Sequence, residues 1–266
     1  MPDTAGIPPV LQDEVLIAPF NDLDAVAAIM DDHRDTLAAV IVEAQQRCID
    51  PAPGFLEGLR ELCTRNGAVL IFDEVVTGFR LAYGGAQEFY GVTPDLATYG
   101  KIVGGGLPLS AVAGRADIMA LGNPRRAAEP GYCYLSSTMS GNPVAAAAGL
   151  ATLDVLRRPG TYERLFAVAE RIREGARASF AKHGVAAKAL GNGPIVQFAF
   201  TGRDVVDYRT SHSPDNRLLK PLVRELVKRG VLTHGKFYCS LALGDEDVKQ
   251  IVSTFDDALA ATVRLK

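Results

Sequence analysis

AVLIFDEVVTGFRLAYGGAQEFYGVTPDLATYGKIVGGGLP, residues 68–108, is the stretch around which the chain is organised. It opens on an apolar run, Ala68–Phe72, too short for a helix and rich enough in Val and Ile to read as a strand buried on both faces. The run stops at Asp73-Glu74. In an open α/β sheet, ligands sit just past the carboxyl ends of the strands, so a carboxylate there is placed to meet one. Further on, Lys101 stands between Gly100 and Gly104-Gly105-Gly106, with only Ile102 and Val103 intervening. Glycine and apolar neighbours can desolvate a lysine, which lowers its pKa toward the free amine that attacks carbonyls. The same glycines let backbone approach a flat ligand closely.

An acid for a ring nitrogen and a lysine for an aldehyde are the two groups that pyridoxal phosphate asks of a protein. Taken singly, each has a blander reading. An aspartate after a strand is commonly a cap or turn former, and a loop lysine is commonly just solvated. The glycine triplet is followed by Leu-Pro-Leu-Ser, so it does not complete a G-x-x-x-x-G-K-[ST] loop, and no G-x-G-x-x-G follows a strand.

Read together, DEVVTGFR (73–80), GGAQEFYGVTPDL (84–96) and GKIVGGGLP (100–108) closely resemble the large-domain core of the class-III aminotransferases, within them the glutamate-1-semialdehyde 2,1-aminomutase branch. The resemblance implies that Lys101 forms the internal aldimine with pyridoxal 5'-phosphate and that Asp73 pairs with the pyridine nitrogen. It puts Val76 beside the phenolic oxygen, where many relatives carry Gln and the aminomutases Met. It continues in TMSGNP (138–143), whose Thr138 is implied to reach the cofactor phosphate of a neighbouring subunit, hence a homodimer.

Bulk properties agree. With 266 residues, net charge −3 and a pI near 5.8, nothing points to nucleic acid or an anionic membrane surface. No apolar run approaches about 18 residues and no secretory leader is visible, so the expected location is cytoplasmic. Cys48, Cys63, Cys133 and Cys239 lack C-x-x-C spacing and the four histidines form no ligand cluster, so reduced thiols and no metal are expected.

Taken in order, residues 1–9 read as irregular and Val15-Leu16-Ile17 as a short strand. A helix follows from about Asp22 to His33, then a second buried strand ending at Glu43, then a helix over Pro53–Asn66 closed by Gly67. The order strand, helix, strand indicates βαβ units in a mostly parallel sheet. After Glu43 comes AQQRCID, shorter than the glycine-rich loop of the family, which in relatives lies over the substrate side of the cofactor. Glu43 and Arg47 are therefore substrate candidates, although Arg47 also reads as an ordinary surface residue. Ser110–Gly114 reads as a strand, Arg115–Leu121 as a short helix, and Arg125-Arg126 as a solvated pair in a loop.

Helical spacing runs through Pro143–Leu156 and Thr161–Lys182, broken at Pro159-Gly160. The expected domains are 1–158, a partial large domain of the fold type I α/β class, and 161–266, an α+β small domain. The latter should hold strands at Val185–Leu190, Ile195–Phe200, near Val231 and at Cys239–Ala242, with helices at about Asn216–Arg229 and Asp245–Leu265. The resemblance places Lys236 and Tyr238 where the small domain faces substrate.

The resemblance begins partway into the family's pattern. The family's upstream portion holds the helix N-terminus that cradles the phosphate and the aromatic that stacks on the ring. The expectation is a fragment of a longer enzyme that moves an amino group between a small amino donor and a carbonyl acceptor. A subunit assembling with a separately encoded N-terminal part, a decayed copy, and a noncatalytic scaffold are the alternatives.

Overall fold

The computed structural model describes residues 4–212 and 217–264. Its first sheet has the order β1 (Ala39–Val42), β2 (Val69–Glu74), β3 (Leu96–Tyr99), β4 (Ala111–Gly114). The first three strands are parallel, with Val42 opposite Phe72 and Asp73 opposite Thr98. β4 returns antiparallel, pairing Leu96 with Gly114. Helix α1 (Leu23–Asp32) precedes β1, α2 (Phe55–Asn66) links β1 to β2, and α3 (Gly85–Tyr90) links β2 to β3.

Local chemistry explains these boundaries. The Asp22 carboxylate accepts the Ala25 N–H at 2.9 Å and caps α1. In α2, Phe55, Leu56, Leu59 and Leu62 recur at helical spacing, and all are buried. Helix α3 starts where it does because Glu74, fully buried at the end of β2, turns back to it. Its carboxylate accepts from Ala86 N at 2.6 Å, Gln87 N at 3.2 Å and the Thr77 hydroxyl at 2.9 Å. Gly85 is required at that junction: its φ is 79°, and an added Cβ would collide with the Glu74 carboxylate.

The helices shelter one face of this sheet. Leu70, Phe72 and Ala97 join Val26, Met30, Phe55, Leu56 and Leu59 in one core. On the opposite face Val69, Ile71 and Asp73 stay half-exposed, and Ile41 is 64% exposed. The strands expected to be buried on both sides are thus covered on one, because the described elements pack a single layer against them. Ser110–Gly114 does form a strand, but every residue of β4 is exposed. Val15-Leu16-Ile17 is no strand at all. It is exposed at 63%, 43% and 80%, and no strand among the described residues pairs with it to take up its backbone groups.

The short α4 (Ala116–Met119) runs on into a 3₁₀ turn, and α5 (Pro143–Leu156) and α6 (Thr161–Lys182) follow. Leu165, Val168, Ile172, Ala176 and Phe180 line the buried stripe of α6 as their spacing requires. The second sheet is antiparallel, β5 (Lys188–Leu190), β6 (Ile195–Ala199), β7 (Lys236–Tyr238), with α7 (Tyr208–Ser211), α8 (Leu219–Lys228) and α9 (Asp245–Val263) in the same half of the chain. Its core is aromatic: Phe198 lies 4.8 Å from Phe255 and 5.9 Å from Phe180 between ring centroids. The final strand is KFY rather than the expected Cys239–Ala242, and Val231 is a buried loop residue. Pairing with β6 decides this: Lys236 meets Gln197 and Tyr238 meets Ile195, so Phe237 alone turns inward. The expected starting point of α8 at Asn216 and the last residue of the expected final helix lie outside the described residues.

Candidate active site

Three strands deliver their ends to one edge. Glu43 follows β1, Asp73 lies near the end of β2, and Lys101 comes two residues after β3. The register sets Asp73 level with Thr98, whose hydroxyl donates to Asp73 Oδ1 at 3.4 Å. The Val75 N–H donates to the same oxygen at 3.0 Å. Oδ2 remains without a hydrogen bond among the described residues.

Lys101 opens a 3₁₀ turn, Lys101–Gly104, with φ at 51°. Among the described residues, the non-glycine positions in the left-handed region are Asn21, Arg47, Cys48, Phe79 and Lys101. Such positions cost on the order of 1–3 kcal/mol each and concentrate at functional sites. Four of them border this edge in sequence: Arg47 and Cys48 lie just past Glu43, Phe79 closes the turn after Asp73, and Lys101 is the candidate amine. The lysine itself is exposed, so the desolvation expected from its glycine and apolar neighbours is absent from this chain. Gly105 also has a packing role. An added Cβ at Gly105 would strike the Thr152 hydroxyl and lie 3.1 Å from the Ala148 carbonyl, so that glycine lets the turn approach α5 closely.

Glu43 has its carboxyl held above the usual range, by burial first and then by the negative charge of Asp73, against the opposing pull of Lys236 and Arg47 and a hydrogen bond from the Arg47 backbone. The residues after it make a tight reversal, with Gln46 bridged to Ile49 and both Arg47 and Cys48 left-handed. Arg47 is exposed and stacks its guanidinium 5.8 Å from the Tyr208 ring centroid. The reversal is pinned by Gln45, whose amide donates to Asp50 at 2.7 Å and to Asn192 in the other half of the chain at 2.6 Å.

The family follows from the whole chain. The class-III aminotransferase profile matches residues 3–259. The chain belongs to the class-III aminotransferases. It is 40% identical to glutamate-1-semialdehyde 2,1-aminomutase 2 of Brevibacillus brevis, over 97% of this chain and 61% of that protein. An omega-transaminase from Sphaerobacter thermophilus superposes with a TM-score of 0.91 at 34% identity, covering 98% of this chain and 60% of the other. A transaminase with PLP bound gives a TM-score of 0.86 at 26% identity, over 98% and 61%. The chain thus spans about three-fifths of the length of these relatives.

Against this class-III frame, the other candidates fall in two places. Val76 is half-buried one turn from Asp73, and its carbonyl accepts the Arg80 Nε–H at 2.9 Å. Thr138 is exposed in the turn before α5 and makes no hydrogen bond to the Asp73–Lys101 edge among the described residues. Lys236 is half-buried and bears on Glu43, while Tyr238 lies under Arg80, whose guanidinium carbon is 5.4 Å from its ring centroid. Sequence reading overlooked Gln45 and Arg80. The position of Arg80 four residues after Val76 was a usable signal, because a helical-type turn there carries the side chain back to that carbonyl.

The residues fit the ring end of pyridoxal phosphate: an aspartate with one uncommitted oxygen, and a primary amine on the neighbouring strand end.

Proposed function

We propose that this chain carries the amine and acid of a pyridoxal-phosphate-dependent amino-transfer site, working as an aminotransferase or a 2,1-aminomutase on an amino acid, amine or semialdehyde. The observation that carries the reading is the arrival of Asp73 and Lys101 at the same end of adjacent parallel strands. Bound there, the cofactor supplies an aldehyde that condenses with amines and a ring that draws electrons from the reacting carbon. Lys101 would hold the aldehyde end through Nζ, and its amine is the group on this edge that would serve as base and acid toward a substrate proton. Asp73 would hold the ring-nitrogen end, since its Oδ1 takes the Val75 N–H and the Thr98 hydroxyl while Oδ2 is left to accept. A carboxylate about 4 Å from a cation is worth roughly 4 kcal/mol at an effective dielectric near 20, about three pK units, so such a partner would keep a ring nitrogen protonated at neutral pH.

The working protein is larger than this chain in our reading. The support is the half-open face of the first sheet, together with exposed Val144 and Leu150 on α5, at 65% and 64%. Parallel sheets are ordinarily covered on both faces. The missing cover is a further segment of the same polypeptide or a separately encoded N-terminal part, and it brings the phosphate and ring-stacking contacts. Residues 1–158 then act as the partial large domain and 161–266 as the small one. Thr138 serves a second copy across a two-fold interface, and the setting is cytoplasmic. No helix among the described residues is long and apolar enough to cross a membrane.

Reduction with borohydride after incubation with pyridoxal phosphate, followed by peptide mass mapping, tests the core of this. The expected result is cofactor mass fixed at Lys101 and absent in Lys101→Ala. Labelling spread over surface lysines, or none, leaves the alternative reading, a noncatalytic scaffold that retains the family fold.

A further inference from the structure

Among the described residues two arginines are deeply buried, and they are treated differently. Arg173, 2% exposed, gives Nε to Glu170 at 2.7 Å and a terminal nitrogen to the Gly193 and Ile195 carbonyls at 2.8 and 3.3 Å. Arg80, 8% exposed, bonds only the Val76 carbonyl through Nε. Its two terminal nitrogens have no hydrogen bond, and no carboxylate reaches it, among the described residues. The titratable groups that bear on it are Tyr238, Cys239 and Cys48. The two thiols are pushed up to about 11 by burial and so offer no negative charge at physiological pH. An ionised group stripped of water is ordinarily paired.

The placement gives the missing partner a chemistry. Arg80 is tied to the carbonyl of Val76, three residues after Asp73, and its face is fixed on Tyr238 of β7, the strand that also carries Lys236. Lys236 in turn bears on Glu43, which bears on Asp73. Arg80 is thus held between the turn that follows Asp73 and β7, the strand whose Lys236 bears on Glu43. Its planar fork matches a carboxylate, through paired N–H donors, better than it matches any neutral group.

We infer that Arg80 anchors a carboxylate of the substrate. This rests on the amino-transfer reading above and narrows it: the amino donor or acceptor carries a carboxylate beyond the reacting carbon, and a simple amine is a poor substrate. The anchor acts by orientation, holding one end of the substrate while the other meets the strand ends.

The test uses the whole chain without cofactor, with glutarate as probe. In ¹⁵N-arginine-labelled protein, the Arg80 Nε–H resonance, assigned by its loss in Arg80→Lys, is expected to move and saturate with glutarate. Neutral glutaramide and inorganic phosphate at the same concentration should leave it in place. Arg80→Met is expected to weaken glutarate binding about tenfold or more by calorimetry, with a melting temperature equal to or above the parent's, because an unpaired buried charge has been removed. A resonance that ignores glutarate, or that follows phosphate instead, overturns the assignment. So does a fall in melting temperature beyond about 4 °C in Arg80→Met, which would make the arginine a structural pin. Glutarate binding in a chain that never fixes cofactor at Lys101 would keep the anchor and remove the amino-transfer reading. Fixation without glutarate binding would do the reverse.

Discussion

The two sheets of this protein are finished to different degrees. Around β5–β7 the packing is closed: Val196, Phe200, Leu222, Leu226 and Leu259 are fully buried and the rings of Phe180, Phe198 and Phe255 interlock. Around β1–β4 one face is packed and the other is half-open, and the left-handed residues Arg47, Cys48, Phe79 and Lys101 all fall on or beside its strand ends. The difference teaches where each half spends its side chains. The second sheet uses them on one another, whereas the first keeps Asp73 Oδ2, Lys101 Nζ and the Arg80 fork for something else.

The comparison can be broken at its strongest point first. Phe198→Ala should cost about 3–5 kcal/mol in urea unfolding, because its neighbours are rings that cannot collapse into the space. A cost under about 1 kcal/mol would mean that the second core is loosely packed after all. Gly85→Ala should cost about 2 kcal/mol, since the new methyl meets both an unfavourable φ and the Glu74 carboxylate. A near-neutral result would show that Glu74 does not hold the start of α3.

Acid sharpens the contrast further. Burial works to raise the Asp95 carboxyl, but the Leu70 N–H, Arg60 and Arg115 outweigh it and hold it below its ordinary 3.8. A carboxyl depressed by folding contributes stability that is complete above the unfolded value and disappears as pH falls through the folded one. The urea midpoint of the parent should therefore drop as pH goes below 3.8, and Asp95→Asn should lack that component. Identical acid profiles for the two proteins would remove Asp95 as a brace between β2 and β3. The smallest effect is expected on the open face: Ile41→Thr should change stability by no more than about 0.5 kcal/mol. A larger loss would mean that something in this chain already covers that face.

Much of this was legible in the residues, for reasons that can be stated. The α6 stripe was readable because Leu165 to Phe180 keep one helical face, and β2 because its apolar run ends abruptly in two acids. Asp73 and Lys101 could be named because a strand end and a glycine-flanked lysine are local features. What failed was anything set by a partner element. Val15-Leu16-Ile17 has strand composition but no edge to join, and KFY became β7 because β6 chose the register. The openness of the first sheet is invisible in a sequence whose strands are apolar throughout. Arg80 was missed because an arginine in a run of loop residues looks solvated until the Tyr238 ring is known to lie against it.

Asn21 carries a consequence for the order of assembly. Its amide donates to the Asp50 carbonyl at 3.0 Å and to the Val206 carbonyl at 2.8 Å, and its oxygen takes the Ala52 N–H at 2.7 Å, joining positions up to 185 residues apart. A stitch across so long a loop gains nothing until both of its banks exist, so closure entropy delays it. Refolding should thus build the aromatic core and the α1–α2 layer first, and the Asn21 contact that joins them should be the last to form.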